Sequence, residues 1–257
     1  MSLQNTARIL AEARTNGIRL ESYPADEPAN IAEAYAAQKH MIEAIPAPVT
    51  GWKVGFTSET ARKAASISEP LSGPLFENSI YEDGSTIKIK KGDLLLLEAE
   101  IAFTLASDLG PRQHPYERQD ITKAIQNVLP IFELVNKRLP GTVKEKPEWL
   151  ILDGNINQAI ICGPALAYDA SMQLPDETVS VSVNGNKRSD GIGANAMGDP
   201  VTVLVWLANH MRERGITMKK GDLIATGLVS DLIECQPSDH IQADFASLGT
   251  VTMSLSK

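Results

Sequence analysis

Two glutamates stand two residues apart in the otherwise apolar segment 94–105, which reads LLLLEAEIAFTL. In a β-strand, residues two apart point to the same face with Cα atoms about 6.6–6.8 Å apart, so Glu98 and Glu100 share one side. Two carboxylates in an apolar environment repel each other and lose hydration. Protonation, basic side chains or a metal ion must therefore compensate for them.

A third carboxylate, Glu133, is the lone acid of the segment PIFELVN. Three carboxylates without a neighbouring histidine or cysteine make an oxygen ligand set that suits Mg²⁺ or Mn²⁺ rather than structural zinc. The alternative is a strand with one solvated face, which is common in antiparallel sheets. The four leucines that precede Glu98 favour a buried face and hence a metal site.

Lys53 lies between Trp52 and Val54 in the segment GWKVGFTS, which resembles a short strand entering a turn. An exposed lysine that keeps its ammonium in water is one interpretation. A partly buried lysine near a metal-bound substrate could instead exchange protons or hold an anion. The segment by itself favours the exposed interpretation.

Two further segments place polar groups beside strands. In ATGLVSD, Thr226 and Gly227 can offer a hydroxyl and a backbone N–H to a carboxylate, or form only a turn. Asp153, in LDGNIN, can orient a lysine or a water molecule, or stabilise a turn through its side chain. No nucleophile elbow, phosphate loop or dinucleotide fingerprint accompanies these segments.

The elements that must position these residues are predicted from periodicity and capping. Helices are predicted in segments 6–14 and 30–45, with Asn30 as a cap, and a short one follows Ser58. The segment 80–89 predicts a hairpin or a bulged strand pair around Asp83-Gly84. Residues 119–130 predict a helix capped by Asp120 and stopped by Pro130. The helix after Asp199 has the clearest boundaries, and the remaining segments are mostly strands.

These elements predict an α+β protein, with an N-terminal helical segment at residues 1–50 and a catalytic mixed-β domain at residues 51–257. Strands and helices do not alternate regularly, which argues against a parallel α/β barrel.

Composition excludes several classes of protein. The 257 residues carry a formal net charge of −8 and no basic stripe, which argues against nucleic-acid binding. The two cysteines have neither metal-ligand spacing nor a disulfide pattern. The N-terminus has no apolar signal region, and no apolar stretch is long enough for a membrane span. We therefore expect a soluble cytoplasmic protein.

Several segments in order along nearly the whole chain resemble the fumarylacetoacetate hydrolase superfamily, in its branch of 2-keto-4-pentenoate hydratases and 4-oxalocrotonate decarboxylases. The segments that carry the resemblance are GWKVGFTS, EPLSGPLF, EAEIAF, PIFELVNKR, LDGNINQAIICG, GANAMGDPVTVLVWLANHM, KKGDLIATG and LGTV. The resemblance implies a mainly β mixed-sheet roll with an N-terminal helical part, and assembly into a homo-oligomer.

The resemblance also implies roles for residues of this chain. Mg²⁺ or Mn²⁺ would be held by Glu98, Glu100 and Glu133, and Lys53 would transfer protons. Asp153 is the second candidate catalytic residue. The implied substrate-binding residues are Leu75, Arg138, Thr226 and Gly227.

The implied activity is that of a lyase acting on a small 2-oxo acid. We expect a hydratase of aromatic-compound catabolism, which converts a 2-hydroxy-2,4-dienoate into a 4-hydroxy-2-oxo acid. The alternatives are a decarboxylase of a 2-oxo-3-enedioate and a non-catalytic protein that binds metal and 2-oxo acid. Leu71 stands where hydratases of the branch have an aspartate that aids hydration, and decarboxylases also carry an apolar residue there. Asn136 and the segment DGNIN likewise depart from the branch pattern.

Overall fold

The computed structural model describes residues 2–90, 93, 96–141 and 146–257. Leu94 and Leu95, which the sequence places in the strand of the two glutamates, lie outside the described residues. The helices are α1 Leu3–Asn16, α2 Ile31–Ala44, α3 Glu59–Ala65, α4 Arg118–Ala124, α5 Pro147–Leu152 and α6 Pro200–Glu213. The strands are β1 Val49–Gly55, β2 Leu71–Phe76, β3 Ile80–Glu82, β4 Thr86–Lys88, β5 Leu96–Leu105, β6 Ile125–Val135, β7 Asn157–Cys162, β8 Leu166–Ala167, β9 Thr178–Val183, β10 Asn186–Ile192, β11 Leu223–Leu228, β12 Ile233–Glu234, β13 His240–Phe245 and β14 Gly249–Ser256.

The strands form two mixed sheets, which confirms the predicted α+β class. The large sheet has the order β2-β1-β11-β5-β6-β7-β3, with β12 beside β5 and β8 beside β6. The small sheet has the order β10-β9-β13-β14-β4. Most neighbours are antiparallel, while β1/β11, β3/β7 and β4/β14 are parallel.

The two faces of β5 meet different surroundings. Leu97, Ile101 and Phe103 on one face join a large core cluster that includes residues of α6 and of the small sheet. On the opposite face, Ala102 belongs to a smaller apolar cluster that contains Ile131 of β6. Because side chains alternate along a strand, Glu98 and Glu100 lie on this second face.

Both predicted N-terminal helices form, although α1 extends beyond the predicted segment 6–14 at both ends. The Asn30 side chain accepts a hydrogen bond from the Glu33 N–H, and Gly17 ends α1 in the left-handed conformation. The two helices bury Leu10 and Met41 against Phe76 of β2 and Trp149 of α5. The predicted caps at Ser58, for α3, and at Asp199, for α6, also form.

The predicted hairpin or bulged strand pair around Asp83-Gly84 is wrong. Strand β3 pairs with β7 in the large sheet, whereas β4 pairs with β14 in the small sheet. The turn is held across the sheets, because Asp83 accepts hydrogen bonds from the backbone N–H and the hydroxyl of Thr252. A turn signal does not reveal whether its two strands share a sheet.

The predicted helix over 119–130 is also wrong in its second half. Helix α4 ends at Ala124, and β6 runs from Ile125 through Pro130. Glu117 is the N-cap, and Asp120 occupies the third helical position of a capping box. Pairing of β6 with β5 outweighs the local helical period. Pro130 has no N–H to donate to a neighbouring strand. It is tolerated because this edge of β6 faces Gly163, beyond the end of β7, where the Pro130 carbonyl accepts the Gly163 N–H.

Candidate active site

Three carboxylates converge on one face of the large sheet. The β5/β6 register places Glu98 directly opposite Glu133, and Glu100 follows on the same face. One carboxylate oxygen from each residue lies within 4.8 Å of the others. Glu100 and Glu133 are fully buried, whereas the Glu98 side chain keeps 20% exposure. We refer to Glu98, Glu100 and Glu133 as the acid cluster.

Lys53 extends from β1 into the acid cluster. Its Nζ lies 2.8 Å from Glu133 Oε1 and 3.7 Å from Glu98 Oε2, and its side chain is 3% exposed. Its neighbours across the sheet are Ala225 and Gly73, whose small size leaves room for the lysine stem. The interpretation of Lys53 as an exposed lysine is therefore wrong.

The electrostatics of this lysine follow from burial and from the three acids. Burial by itself would lower the pKa of Lys53, but Glu133, then Glu98 and Glu100, raise it to about 12. Lys53 thus remains protonated at neutral pH, and three carboxylates share a single ammonium group.

Thr226 and Gly227 form a bulge in β11, since the register with β5 shifts between Ala225 and Leu228. The Gly227 N–H donates to Glu100 Oε2 at 2.7 Å, and the Thr226 hydroxyl donates to the Ile101 carbonyl at 2.6 Å. Gly227 has a φ of +92°, and a Cβ there would lie 2.5 Å from the Thr57 hydroxyl oxygen. Glycine is therefore required for the backbone to approach and hold Glu100.

Two buried oxygens of the acid cluster have no hydrogen-bond partner. They are Glu100 Oε1 and Glu133 Oε2. Burial, followed by the charges of Glu133 and Glu98, raises the pKa of Glu100 well above its usual range. Burial likewise raises the pKa of Glu98. Buried oxygens without donors, with a surplus of negative charge, fit a hard divalent cation such as Mg²⁺, Mn²⁺ or Ca²⁺.

Asn157 and Arg14 support the acid cluster from behind, and sequence reasoning missed both. Asn157 Nδ2 donates to Glu133 Oε1 at 3.0 Å. Arg14 of α1 donates to the Asn157 carbonyl at 2.6 Å and to its Oδ1 at 2.9 Å. The only local signal is a polar residue at the start of the apolar strand β7, which is too common to be informative.

The structure brings Asp153 and Arg138 together, but pairs them with each other. Arg138 Nε and its backbone N–H donate to the two Asp153 carboxylate oxygens at 2.6 and 2.9 Å. Further Arg138 nitrogens donate to the Asp153 and Asn157 carbonyls. Both side chains are buried, and this ion pair anchors the turn that leads into β7. Their predicted roles toward substrate stay predictions.

Leu75 of β2 lies on the same sheet face as the acid cluster but in its apolar part. It is fully buried in the cluster that contains Ala102, Ile131 and Ile160. Leu75 therefore lies in the apolar part of this sheet face and not among the carboxylates. A direct contact with substrate stays a prediction for this residue.

A cavity of about 440 Å³ opens over the acid cluster. Lys53, Glu98 and Gly227 line it, together with neutral polar residues that include Asn155 and Asn195. The rest of its lining is largely apolar. We define the apolar wall of this cavity by six residues: Phe56, Leu96, Val135, Leu150, Ile156 and Leu232.

A larger groove of about 1300 Å³ lies between α2 and the end of α6, away from the acid cluster. Tyr35, Leu71, His210 and Arg214 are among its lining residues. The Leu71 side chain packs in one cluster with Tyr35 and Leu150, and Leu150 also belongs to the apolar wall. Leu71 thus stands behind the wall of the smaller cavity rather than in it.

Comparison with known families identifies the family to which the chain belongs. The model of the fumarylacetoacetate hydrolase C-terminal family matches residues 52–256, and the chain belongs to this family. The resemblance noted in the sequence is confirmed. No helix among the described residues has the length and apolar character needed to cross a membrane.

Several curated relatives of the chain are hydratases. The chain is 29% identical to 2-hydroxyhexa-2,4-dienoate hydratase of Comamonas testosteroni, over 97% of this chain and 94% of the relative. It is 27% identical to 2-keto-4-pentenoate hydratase of Paraburkholderia xenovorans, over 86% and 82% of the two chains.

Among solved structures, the fold matches 4-oxalocrotonate decarboxylase of Pseudomonas putida G7 complexed with magnesium and adipate. The TM-score is 0.89 at 25% identity, covering 98% of this chain and 97% of that one. The same decarboxylase has also been solved with calcium and acetate. The predicted fold type is confirmed by this match.

Proposed function

We propose that the protein is a metal-dependent hydratase that converts a 2-hydroxy-2,4-dienoate into a 4-hydroxy-2-oxo acid. The observation that carries this proposal is the acid cluster with Lys53, in which two buried carboxylate oxygens have no partner. The relatives named as dienoate and pentenoate hydratases support the reaction class.

Glu98, Glu100 and Glu133 are the residues that would hold the ion, and Mg²⁺ or Mn²⁺ is proposed. A bound divalent cation would supply Lewis-acid stabilisation of the negative charge that develops on the substrate's 2-oxygen. Gly227 N–H keeps the Glu100 carboxylate oriented, and Asn157 does the same for Glu133. These supports keep the ligand oxygens aimed at one point.

Lys53 is proposed as the group that holds and moves a proton at its Nζ. The buried stem fixes its position, and its raised pKa keeps the proton on the nitrogen at neutral pH. In ketonisation of a 2-hydroxydienoate, a proton is added at the chain end while the 2-hydroxyl proton is lost. Asp153 already accepts hydrogen bonds from Arg138 at both oxygens, so its contacts do not support a role as base for water.

A decarboxylase of a 2-oxo-3-enedioate is the second candidate. Leu71 favours it, because this apolar residue replaces the aspartate that hydratases of the branch carry. The likeness to 4-oxalocrotonate decarboxylase points the same way. A non-catalytic binding protein would turn over neither substrate.

The deciding experiment is an assay of both substrates, with and without Mg²⁺. We expect Mg²⁺-dependent loss of the dienoate's ultraviolet absorbance with formation of the 4-hydroxy-2-oxo acid. Faster release of CO₂ from the enedioate would replace the hydratase with the decarboxylase. Absence of turnover on both substrates would contradict an enzymatic function.

Lys53→Met tests the proton-transfer role, because methionine keeps much of the apolar stem and removes the charge. We expect a large fall in turnover while calorimetry still detects Mg²⁺ binding. The exposed Lys63→Met provides a control for loss of a positive charge. Unchanged turnover in Lys53→Met would remove the lysine from the mechanism.

A further inference from the structure

The part of the cavity lining formed by β5 and β6 is acidic at one end and apolar at the other. Glu98 and Glu133 are cross-strand partners, and the next partners on the same face are Leu96 and Val135. One strand repeat of two residues, about 6.6–6.8 Å, separates the two pairs. A substrate whose charged head lies at the acid cluster therefore has an apolar surface available to its tail.

Strained backbone positions hold two other members of the apolar wall. Phe56 and Ile156 have φ angles of +59° and +54°, in a region that bulky and β-branched residues rarely adopt. The Ile156 carbonyl accepts the Asn136 N–H at 2.8 Å, which helps to fix this turn. Strain maintained at a cavity is typical of functional sites, where the surroundings fix the positions of side chains.

The described part of the cavity lining offers no free cation to a second carboxylate. Lys53 is the only basic residue in it, and Glu133 and Glu98 already surround its ammonium group. One N–H of each of the two side-chain amides also has an acceptor. Asn155 Nδ2 donates to the Leu71 carbonyl, and Asn195 Nδ2 donates to the Val229 carbonyl.

We propose that the enzyme selects substrates whose tail is uncharged and apolar, so that its substrates are monocarboxylates and not dicarboxylates. The inference rests on the proposed function, which places the 2-oxo acid head at the acid cluster. A terminal carboxylate against the apolar wall would lose hydration without gaining a cation. A terminal methyl group would instead lose only its contact with water, which favours binding.

Two unreactive probes of equal chain length test this selection. 2-Oxohexanoate ends in a methyl group, and 2-oxohexanedioate ends in a carboxylate. Titration calorimetry of the Mg²⁺-loaded protein should give a Kd at least about tenfold lower for the monocarboxylate, because an unpaired carboxylate is costly to desolvate. Equal affinities, or tighter binding of the dicarboxylate, would overturn the inference and leave the proposed function standing. Binding of neither probe would overturn both.

Leu232 allows the wall itself to be tested, because it is 43% exposed and its replacement should not prevent folding. Leu232→Arg introduces a cation at the wall and should remove most of the preference for the monocarboxylate. Leu232→Gln is the matched polar control and should keep the preference. Ser230→Lys places a cation at a second lining position and should act in the same direction. A preference that survives both cationic variants would contradict the placement of the tail.

Discussion

Two buried groups of carboxylates and cations lie close together in the chain's fold, and they differ in how their charges are satisfied. Asp153 and Arg138 form a one-to-one pair in which both carboxylate oxygens accept hydrogen bonds. In the acid cluster, three carboxylates share Lys53, and two oxygens have no donor. The first arrangement is complete without any further group. The second leaves negative charge without a partner, which is the property expected of a cation-binding site and not of a structural ion pair.

The largest expected effect comes from breaking the complete pair. Asp153→Ala leaves the buried Arg138 guanidinium without its carboxylate, and should lower the free energy of unfolding by about 3–5 kcal/mol. Urea unfolding measures this loss. Asp153→Asn keeps part of the hydrogen bonding and should lose less. If Asp153→Ala unfolds at the same urea concentration as the unmodified protein, the ion pair is not structural.

Glu100→Gln should impair turnover without lowering the stability of the metal-free protein, because the acid cluster has a surplus of negative charge. Turnover should fall by more than the roughly 10–100-fold that loss of an outer-shell partner brings. The unfolding free energy of the metal-free protein should stay equal or rise, since repulsion within the cluster decreases. A clear loss of metal-free stability in this variant would mean that the acid cluster is also a structural assembly.

Arg14→Met tests how far the support of the acid cluster extends. Without Arg14, Asn157 loses two hydrogen bonds and holds Glu133 less firmly. Mg²⁺ affinity, measured by calorimetry, should fall by about 10–100-fold. Arg14→Lys should keep part of the Mg²⁺ affinity that Arg14→Met loses. Arg8→Met is the matched control on the same helix, since Arg8 is 60% exposed and contacts only surface groups. Equal effects of the Arg8 and Arg14 variants would refute the positioning role.

The smallest expected effect is a pH dependence. The pKa of Glu100 is raised above 4.5 in the folded protein, so the folded state binds the proton more tightly than the unfolded state. Metal-free stability should therefore decrease as pH rises from 4.5 through the raised pKa, by at most about 1.4 kcal/mol for each pH unit. Mg²⁺ affinity should rise over the same interval, because the ion and the proton compete.

Urea unfolding of the metal-free protein and of Glu100→Gln at several pH values measures the contribution of Glu100 together with its effect on the neighbouring Glu98, whose pKa is also raised. Burial, followed by the charge of Arg214, lowers the pKa of His210 to about 4. That histidine adds a trend of opposite sign near its unfolded pKa, and it cancels in the difference between the two proteins. If the difference in unfolding free energy between the two proteins does not change with pH, the pKa of Glu100 is not raised.

The sequence was sufficient to predict the residues of the acid cluster but not the groups that hold them in place. Glu98 and Glu100 could be placed on one face because strand periodicity is local. The β5/β6 register that sets Glu133 opposite Glu98 depends on pairing over a distance in sequence. The same is true of Asn157 behind Glu133 and of the Gly227 N–H on Glu100. Such contacts have no signature in the residues themselves, and only the family resemblance suggested which segments would meet.

The sequence-based errors have the same origin. Residues 125–129 have a helical period, but they lie between β5 and β7 or β8 in the large sheet, where tertiary pairing decides. Lys53 looked exposed because its segment does not show the three acids that neutralise it. In each case a property of the surroundings outweighed a property of the segment.

The hydrogen bonds from Arg14 to Asn157 also have a consequence for the order of events during synthesis. The two residues are 143 positions apart in the chain. The first helix emerges from the ribosome long before Asn157 exists, and its hydrogen bonds to that residue must wait until β7 has been made. Closing so long a segment is entropically costly and slow. We therefore expect the contacts of α1 with β7 to form late, and incomplete chains that stop before Trp149 to lack a packing partner of Leu10 and Met41, which chaperones and proteases can then reach.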